Sequence, residues 1–105
     1  MPTISTLSGK TEFKYTPDGK GGFFIEYTGR PHITIGLIQK IQYEFKNKTV
    51  PGGFSMTDPI PGGFGEWIQD NSQFSPRHAS HIAAVLKEIG VIKESFGKKP
   101  IILQF

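Results

Sequence analysis

Residues 74–90, FSPRHASHIAAVLKEIG, are punctuated at both ends, and a helix marked this clearly limits what the rest of the chain can become. Ser75 is a preferred N-cap, because its hydroxyl oxygen can accept from an otherwise unpaired backbone N–H of the first turn. Pro76 follows at the first helical position, where its missing N–H is no loss. Gly90 stands where helices commonly end in a left-handed residue, which glycine adopts without steric cost. At about 100° per residue, Ala79, Ile82, Ala83, Leu86 and Ile89 gather on one side. Arg77, His81, Ala84 and Glu88 lie opposite, with Ser80 at one flank and His78 and Val85 at the other. This pattern predicts a core-facing side and a solvent-facing side, with His81 outside the core and Ala84 small enough to let a partner approach closely.

The neighbouring segments supply elements of both kinds. EFKYT (12–16) and FFIEY (23–27) alternate around PDGKGG, whose Pro, Asp and Gly suit a turn, so a β-hairpin is expected there. The adjacent glycines and lysine do not make a phosphate loop, since no GK[ST] or helix start follows them. From Thr34, an N-cap, the period changes to helical, with Ile35, Ile38, Ile41 and Phe45 on one stripe and Ile33 and Ile38 spaced as a hydrophobic staple. Residues 49–62 are expected to form a long ordered loop, with Phe54 pinning it to the core and residues 56–61 exposed. PGGF occurs there at Pro51 and again at Pro61, too few copies for a repeat architecture. GFGEWIQDN (63–71) places Phe64, Trp67 and Ile68 on one face of a short helix. Beyond Gly90, VIKES and PIILQF alternate around FGKK, which predicts a second hairpin with Lys98 and Lys99 at its tip.

Composition sets the background. At 105 residues, with nine Phe and one Trp, the chain fits one domain with an ordinary core. It has no cysteine, which excludes disulfides, thiolate nucleophiles and Cys-based zinc sites and fits a reducing compartment. No signal-peptide pattern or membrane-length apolar run occurs, so a soluble, cytoplasmic protein without a membrane partner is expected. The net charge is +3, and its whole excess sits in residues 76–105, where Arg77, Lys87, Lys93, Lys98 and Lys99 face only Glu88 and Glu94. A basic end of this kind suits a polyanion.

The order helix, short helix, tight turn, capped helix and basic-tipped hairpin resembles the winged helix-turn-helix superfamily over residues 34–105. The resemblance implies an α+β winged helix of three helices plus a C-terminal β-hairpin wing, here with an added N-terminal β-hairpin (residues 1–31, against a core at 32–105). It also implies that residues 76–89 enter the major groove of double-stranded DNA while the wing, residues 96–100, touches backbone or minor groove. Two features depart from that pattern: residues 71–74 lack the usual turn glycine, and the Gly/Pro loop separates the first helix from the second. On this reading Arg77, His78, Ser80 and His81 contact base edges or phosphates, and Lys87, Lys93, Lys98 and Lys99 contact phosphates. The expected product is a non-catalytic DNA-binding domain, a transcription regulator associated with the nucleoid, with no cofactor. About three or four neutralised phosphates give a weak grip, so a homodimer or a larger partner, held through the N-terminal hairpin, is expected as well.

Other chemistries find less support. His78 and His81 at i, i+3 could share a metal ion, but His32 is the only other histidine and no carboxylate has ligand spacing. Ser80 and His81 are sequence neighbours on a helix, where side chains diverge, so no nucleophile–base pair is expected. Two alternatives to a DNA-binding regulator stay open. One is a protein-interaction module using the N-terminal hairpin edge or the Gly/Pro loop, favoured if Phe24, Phe54 or Phe74 form one exposed patch. The other is the DNA-specificity domain of a larger nuclease or mobile-element enzyme. For single-stranded nucleic acid or RNA, FFIEY with Lys14 and Lys20 is the one candidate surface.

Overall fold

The structure is a computed structural model that describes residues 3–7, 9, 11–27, 29–54, 60–97 and 101–105. Alternation in the N-terminal third produces an antiparallel sheet of four strands, β1 (Thr3–Ser5), β2 (Glu12–Pro17), β3 (Phe23–Glu26) and β4 (His32–Ile33), in that spatial order. The expected hairpin is β2–β3, with Tyr15 opposite Ile25 and Pro17 opposite Phe23. Asp18 closes its turn by accepting from the backbone N–H groups of Lys20 (2.7 Å) and Gly22 (3.0 Å). The pleat sends Phe13, Tyr15, Phe23, Ile25 and Ile33 to one buried face. Lys14, Thr16, Phe24, Glu26 and His32 take the other face.

Helix α1 (Ile35–Phe45) begins at its expected cap, Thr34, whose hydroxyl accepts from the Leu37 N–H at 3.3 Å. It buries Ile38, Ile41 and Phe45. Ile35, assigned to the same stripe by spacing, is exposed instead, because it occupies the first turn and lies over Gly21. The loop expected at 49–62 is corrected at its start: residues 49–51 form β5 (Thr49–Pro51), which pairs with β7 (Ile102–Gln104), Val50 opposite Leu103. Strand β6 (Glu94–Phe96) flanks β7 on its other side, so the second antiparallel sheet has the order β5, β7, β6. Phe54 is half-buried against the core, as expected, and Pro61 is exposed, while residues 55–59 lie outside the described residues.

Helix α2 (Phe64–Asn71) explains the repeated PGGF. The Gly65 N–H donates to the Gly52 carbonyl at 2.7 Å. A Cβ added at Gly65 would stand 2.0 Å from the Gly53 carbonyl oxygen, and one at Gly63 would stand 3.0 Å from the Pro51 and Ile60 oxygens. The two copies are therefore pressed backbone to backbone, a close approach that requires glycine. Helix α3 (Pro76–Glu88) follows, N-capped by Ser75 as expected. Gly90, at φ +90°, ends it in a Schellman arrangement, with Gly90 N–H donating to Lys87 O and Val91 N–H to Leu86 O.

Two packing centres join these elements. Phe45 stacks on Phe105 (ring centroids 4.9 Å apart) and meets Phe64 and Trp67 at 5.7 and 5.5 Å, tying α1, α2 and the end of β7 together. The second centre is α3, which packs on α2 and also against the N-terminal sheet. Phe13 of β2 sits edge-on to His81 at 4.8 Å, and Tyr27, just past β3, reaches the same ring at 4.8 Å. Among the described residues no helix is long and apolar enough to cross a membrane.

The glycine contact gives a stability test. Replacing Gly65 with Ala forces a methyl into the Gly53 carbonyl and is expected to cost about 3 kcal/mol, whereas Gly62→Ala, with open space around it, is expected to cost less, the strain of its φ of +76° alone. Urea unfolding of both variants checks the order; equal losses would remove the close-approach argument.

Candidate functional site

Helix α3 was expected to present one polar side to solvent, and the structure corrects this. Ala79 and residues 81–86 are all buried, so the helix is enclosed all round through its middle turns. His81 is 8% exposed and Ala84 is 4% exposed. The cause is the N-terminal sheet: its apolar face needs cover, and β1 and β2 lie across the side of α3 that carries His81, Ala84 and Glu88. His81 is thus a core histidine at its ring faces, and Ala84 accommodates β1 rather than an outside partner.

What stays open is the first turn and a half of α3. Arg77, His78, Ser80 and His81 line a cleft of about 630 Å³, walled by Tyr27 and Leu7 on the side of the N-terminal sheet and by Phe54 and Ile101 on the other. The structure therefore brings four of the eight sequence-selected residues together. Of the other four, two lie elsewhere and two are outside the described residues. Lys87 donates to the Ser95 hydroxyl at 2.9 Å and lies 4.0 Å from Glu94, a tie between α3 and β6. Lys93 borders a different depression beside Lys46 and Asn47. It is beyond the far end of α3, about 18 Å along the axis from Arg77 at 1.5 Å per residue. Lys98 and Lys99 lie outside the described residues, though Ile101, close behind them in the chain, lines the cleft.

Local hydrogen bonds set the protonation of the two histidines. Ser75 N–H donates to His78 Nδ1 at 3.3 Å, and the Ser75 hydroxyl, 2.8 Å away, can donate to the same nitrogen. Nδ1 of His78 is therefore an acceptor, and in the neutral ring the proton sits on Nε2. His81 is the reverse case. Its Nδ1 approaches the Arg77 carbonyl (3.3 Å) and the Ser80 hydroxyl (3.3 Å). That hydroxyl already donates its hydrogen to the Arg77 carbonyl at 2.8 Å, so both neighbours of Nδ1 are acceptors. Nδ1 of His81 accordingly carries the proton and Nε2 keeps a bare lone pair. Ser80 and His81 do meet, contrary to the expectation from their adjacency, but with the hydroxyl committed elsewhere they are not a nucleophile–base pair.

Among the described residues, charge in the cleft is one-signed: Arg77 is exposed, makes no side-chain ion pair, and no described carboxylate lines the space. Burial lowers the pKa of His78, and the Arg77 charge lowers it further. Burial likewise lowers that of His81, against a smaller raising effect from the Arg77 carbonyl and with the charges of His78 and Arg77 adding to the depression. Both rings are neutral at neutral pH. No cluster of three or more His, Asp or Glu able to hold a metal gathers among the described residues.

The outer face of the N-terminal sheet is already engaged with itself. Arg30 sits 4.3 Å over the Phe24 ring and bonds Glu26 at 2.6 and 2.9 Å, while His32 stacks on Phe24 and bonds Asp18 at 2.8 Å. Arg30 holds the Glu26 carboxyl down at about 2, with Thr16 also donating to it. A single-stranded nucleic acid would have to displace these pairs. The aromatic patch of the protein-interaction alternative does not assemble either: Phe74 is buried, Phe54 is in the cleft and Phe24 is on the sheet's outer face. Compared with known proteins, the chain matches no family model, no curated protein and no solved structure.

The buried His81 and the half-buried His78 make stability depend on pH. Their folded pKa values lie below the ordinary 6.5, so the unfolded chain binds more protons as pH falls through that value. Stability is expected to be full above about pH 7 and to drop below 6.5, by no more than about 1.4 kcal/mol per pH unit for each group. Asp18 and Glu26, shifted downward, act only in the lower carboxylate range. Urea midpoints from about pH 7.5 to 5.5 should fall for the parent and fall less for His81→Phe; parallel lines would show that His81 is not the buried neutral group.

Proposed function

We propose that this chain is a non-catalytic binding domain on a winged-helix scaffold that grips the backbone of double-stranded DNA with the first turn of α3 and the adjoining wing. The scaffold reading is supported by the chain order α1, β5, α2, α3, β6, β7, in which an antiparallel hairpin follows the capped helix. The observation that carries the functional reading is Arg77: an exposed guanidinium, unpaired among the described residues, at the mouth of a cleft that no described carboxylate lines, beside the base of a hairpin whose connecting sequence is GKKP. A guanidinium forks onto phosphate oxygens, and lysines at a hairpin tip add point charges. Deep insertion of α3 into a major groove is not part of this proposal, because residues 81–86 are covered. Binding is then dominated by phosphates and little specified by sequence.

A second reading has its own observation. Tyr43 on α1 is 91% exposed and faces the half-buried Trp67 of α2 across a shallow depression. Tyr and Trp are enriched where proteins meet, so a protein partner on the α1–α2 face is the alternative function of the same scaffold.

Fluorescence anisotropy with a labelled random duplex, in a salt series, separates the two. Log affinity against log salt is expected to have a slope of about −3. Arg77→Ala should reduce that slope by about one, and the pair Lys98→Ala and Lys99→Ala by about two more, while Lys93→Ala leaves it nearly unchanged. No duplex binding at low salt, or a slope governed by Lys93, would sink the DNA proposal and leave the α1–α2 face as the surface to pursue.

A further inference from the structure

The cleft at the start of α3 has a feature that phosphate contact does not use. His81 is more than nine-tenths buried, its Nδ1 is satisfied by the Arg77 carbonyl and Ser80, and its Nε2 has no partner among the described residues. That nitrogen is nevertheless not sealed, since no buried side-chain nitrogen or oxygen among the described residues lacks a partner. The cleft that its ring lines gives that nitrogen an outlet. A lone pair there is met by water in the open cleft, and an occupant that excludes that water without supplying a donor leaves it unmet at a cost.

Beside it, His78 presents an Nε2–H with no acceptor among the described residues, and Arg77 presents its guanidinium. Arg77, His78 and His81 therefore form a complementary set at the start of α3: two donors, one of them cationic, next to one acceptor. The remaining wall combines Leu7, Tyr27, Phe54 and Ile101 with the hydroxyl side chains of Thr6, Thr11 and Ser80. A volume of about 630 Å³ falls in the range of sites that take whole small molecules rather than single ions.

From this we infer that the cleft binds a small organic anion: a carboxylate or phosphate held by Arg77 and the His78 Nε2–H, with an adjacent hydroxyl or N–H of the same molecule donating to His81 Nε2, on an apolar or aromatic body. The inference does not rest on DNA binding, although both would engage Arg77, so an occupied cleft would weaken any duplex contact there. Discrimination comes from His81. An analogue without the donor leaves the buried lone pair unmet, which sites of this kind reject more strongly than a missing methylene.

The test is by NMR on the whole chain without DNA, reading the ring nitrogens of His78 and His81 at about pH 7.5. The free protein should show the proton on Nε2 of His78 and on Nδ1 of His81; the opposite assignment for His81 overturns the inference. Titration then uses meta-hydroxybenzoate for the carboxylate source, adenosine monophosphate for the phosphate source, and inorganic phosphate as the bare anion. Saturable shifts of both Nε2 signals with either organic probe, weakened about tenfold or more by Arg77→Ala and by His81→Phe, support it, and the probe that binds names the source. Amide dispersion checks that His81→Phe is folded, and Arg77→Ala, at an exposed side chain, carries the test if it is not. No shift with either organic probe, equal shifts with inorganic phosphate, or shifts that survive Arg77→Ala overturn it. Loss of duplex binding with ligand binding intact, or the reverse, tells the failure of one proposal from that of the other.

Discussion

Most of this structure depends on one contact, the apolar face of the N-terminal sheet laid across α3. Phe13, Tyr15, Phe23, Ile25 and Ile33 form a face that no solvated sheet could leave bare, at about 1.5–3 kcal/mol for each large side chain. The same helix must cover α2 and the rest of the core on its other side. A helix serving two layers needs small residues to let both approach, and Ala79, Ala83 and Ala84 supply them. Once the helix is enclosed between layers, only its ends remain for function. Its C-terminal end is occupied by the Gly90 turn and the Lys87–Ser95 tie, which leaves the first turns.

Capping and alternation made much of the fold legible in the sequence, because both are local. Ser75 and Gly90 delimit α3 through hydrogen bonds and a positive φ that neighbouring residues decide, and the β2–β3 hairpin follows from its turn. Strand β5 was not legible, since three residues carry no period and their partner, β7, lies at the other end of the chain. The enclosure of α3 had a signal that helical-wheel geometry alone underweights. Residues 82–86, IAAVL, are five apolar residues in succession, more than a full turn, so every direction around the axis is apolar there. The helix is therefore amphipathic only at its ends, and a division into a core side and a solvent side fails through its middle.

The candidate site was legible as a place but not as a chemistry. Arg77, His78, Ser80 and His81 do share one cleft, as their common turn requires. Their roles diverge for reasons no residue spacing contains. His78 is at the third helical position and turns Nδ1 back to the capping residue, whereas His81, one turn later, has only the Arg77 carbonyl and Ser80 within reach. Identical side chains three residues apart thus end in opposite tautomers, one offering a donor and the other an acceptor. Charge alone places the lysines together in the sequence, and the fold separates the described ones: Lys87 is committed to β6 and Lys93 belongs to another face.

His81 is also where the chain departs from the simplest stable solution. Its ring fills an apolar slot between Phe13 and Tyr27 that a phenylalanine would fill without any polar atom to satisfy. An imidazole there lowers stability below neutral pH and leaves one nitrogen unmatched by the protein, so packing gives no reason for it. Departures of this sort, in which a local rule is broken with no structural return, concentrate at functional sites. The return that the geometry offers lies in the cleft, where Nε2 is held rigid by its neighbours and by two aromatic walls, already oriented toward whatever enters beside Arg77. Preorganisation of that kind is what a binding group needs, because the entropy of ordering the side chain is spent in folding rather than on ligand arrival.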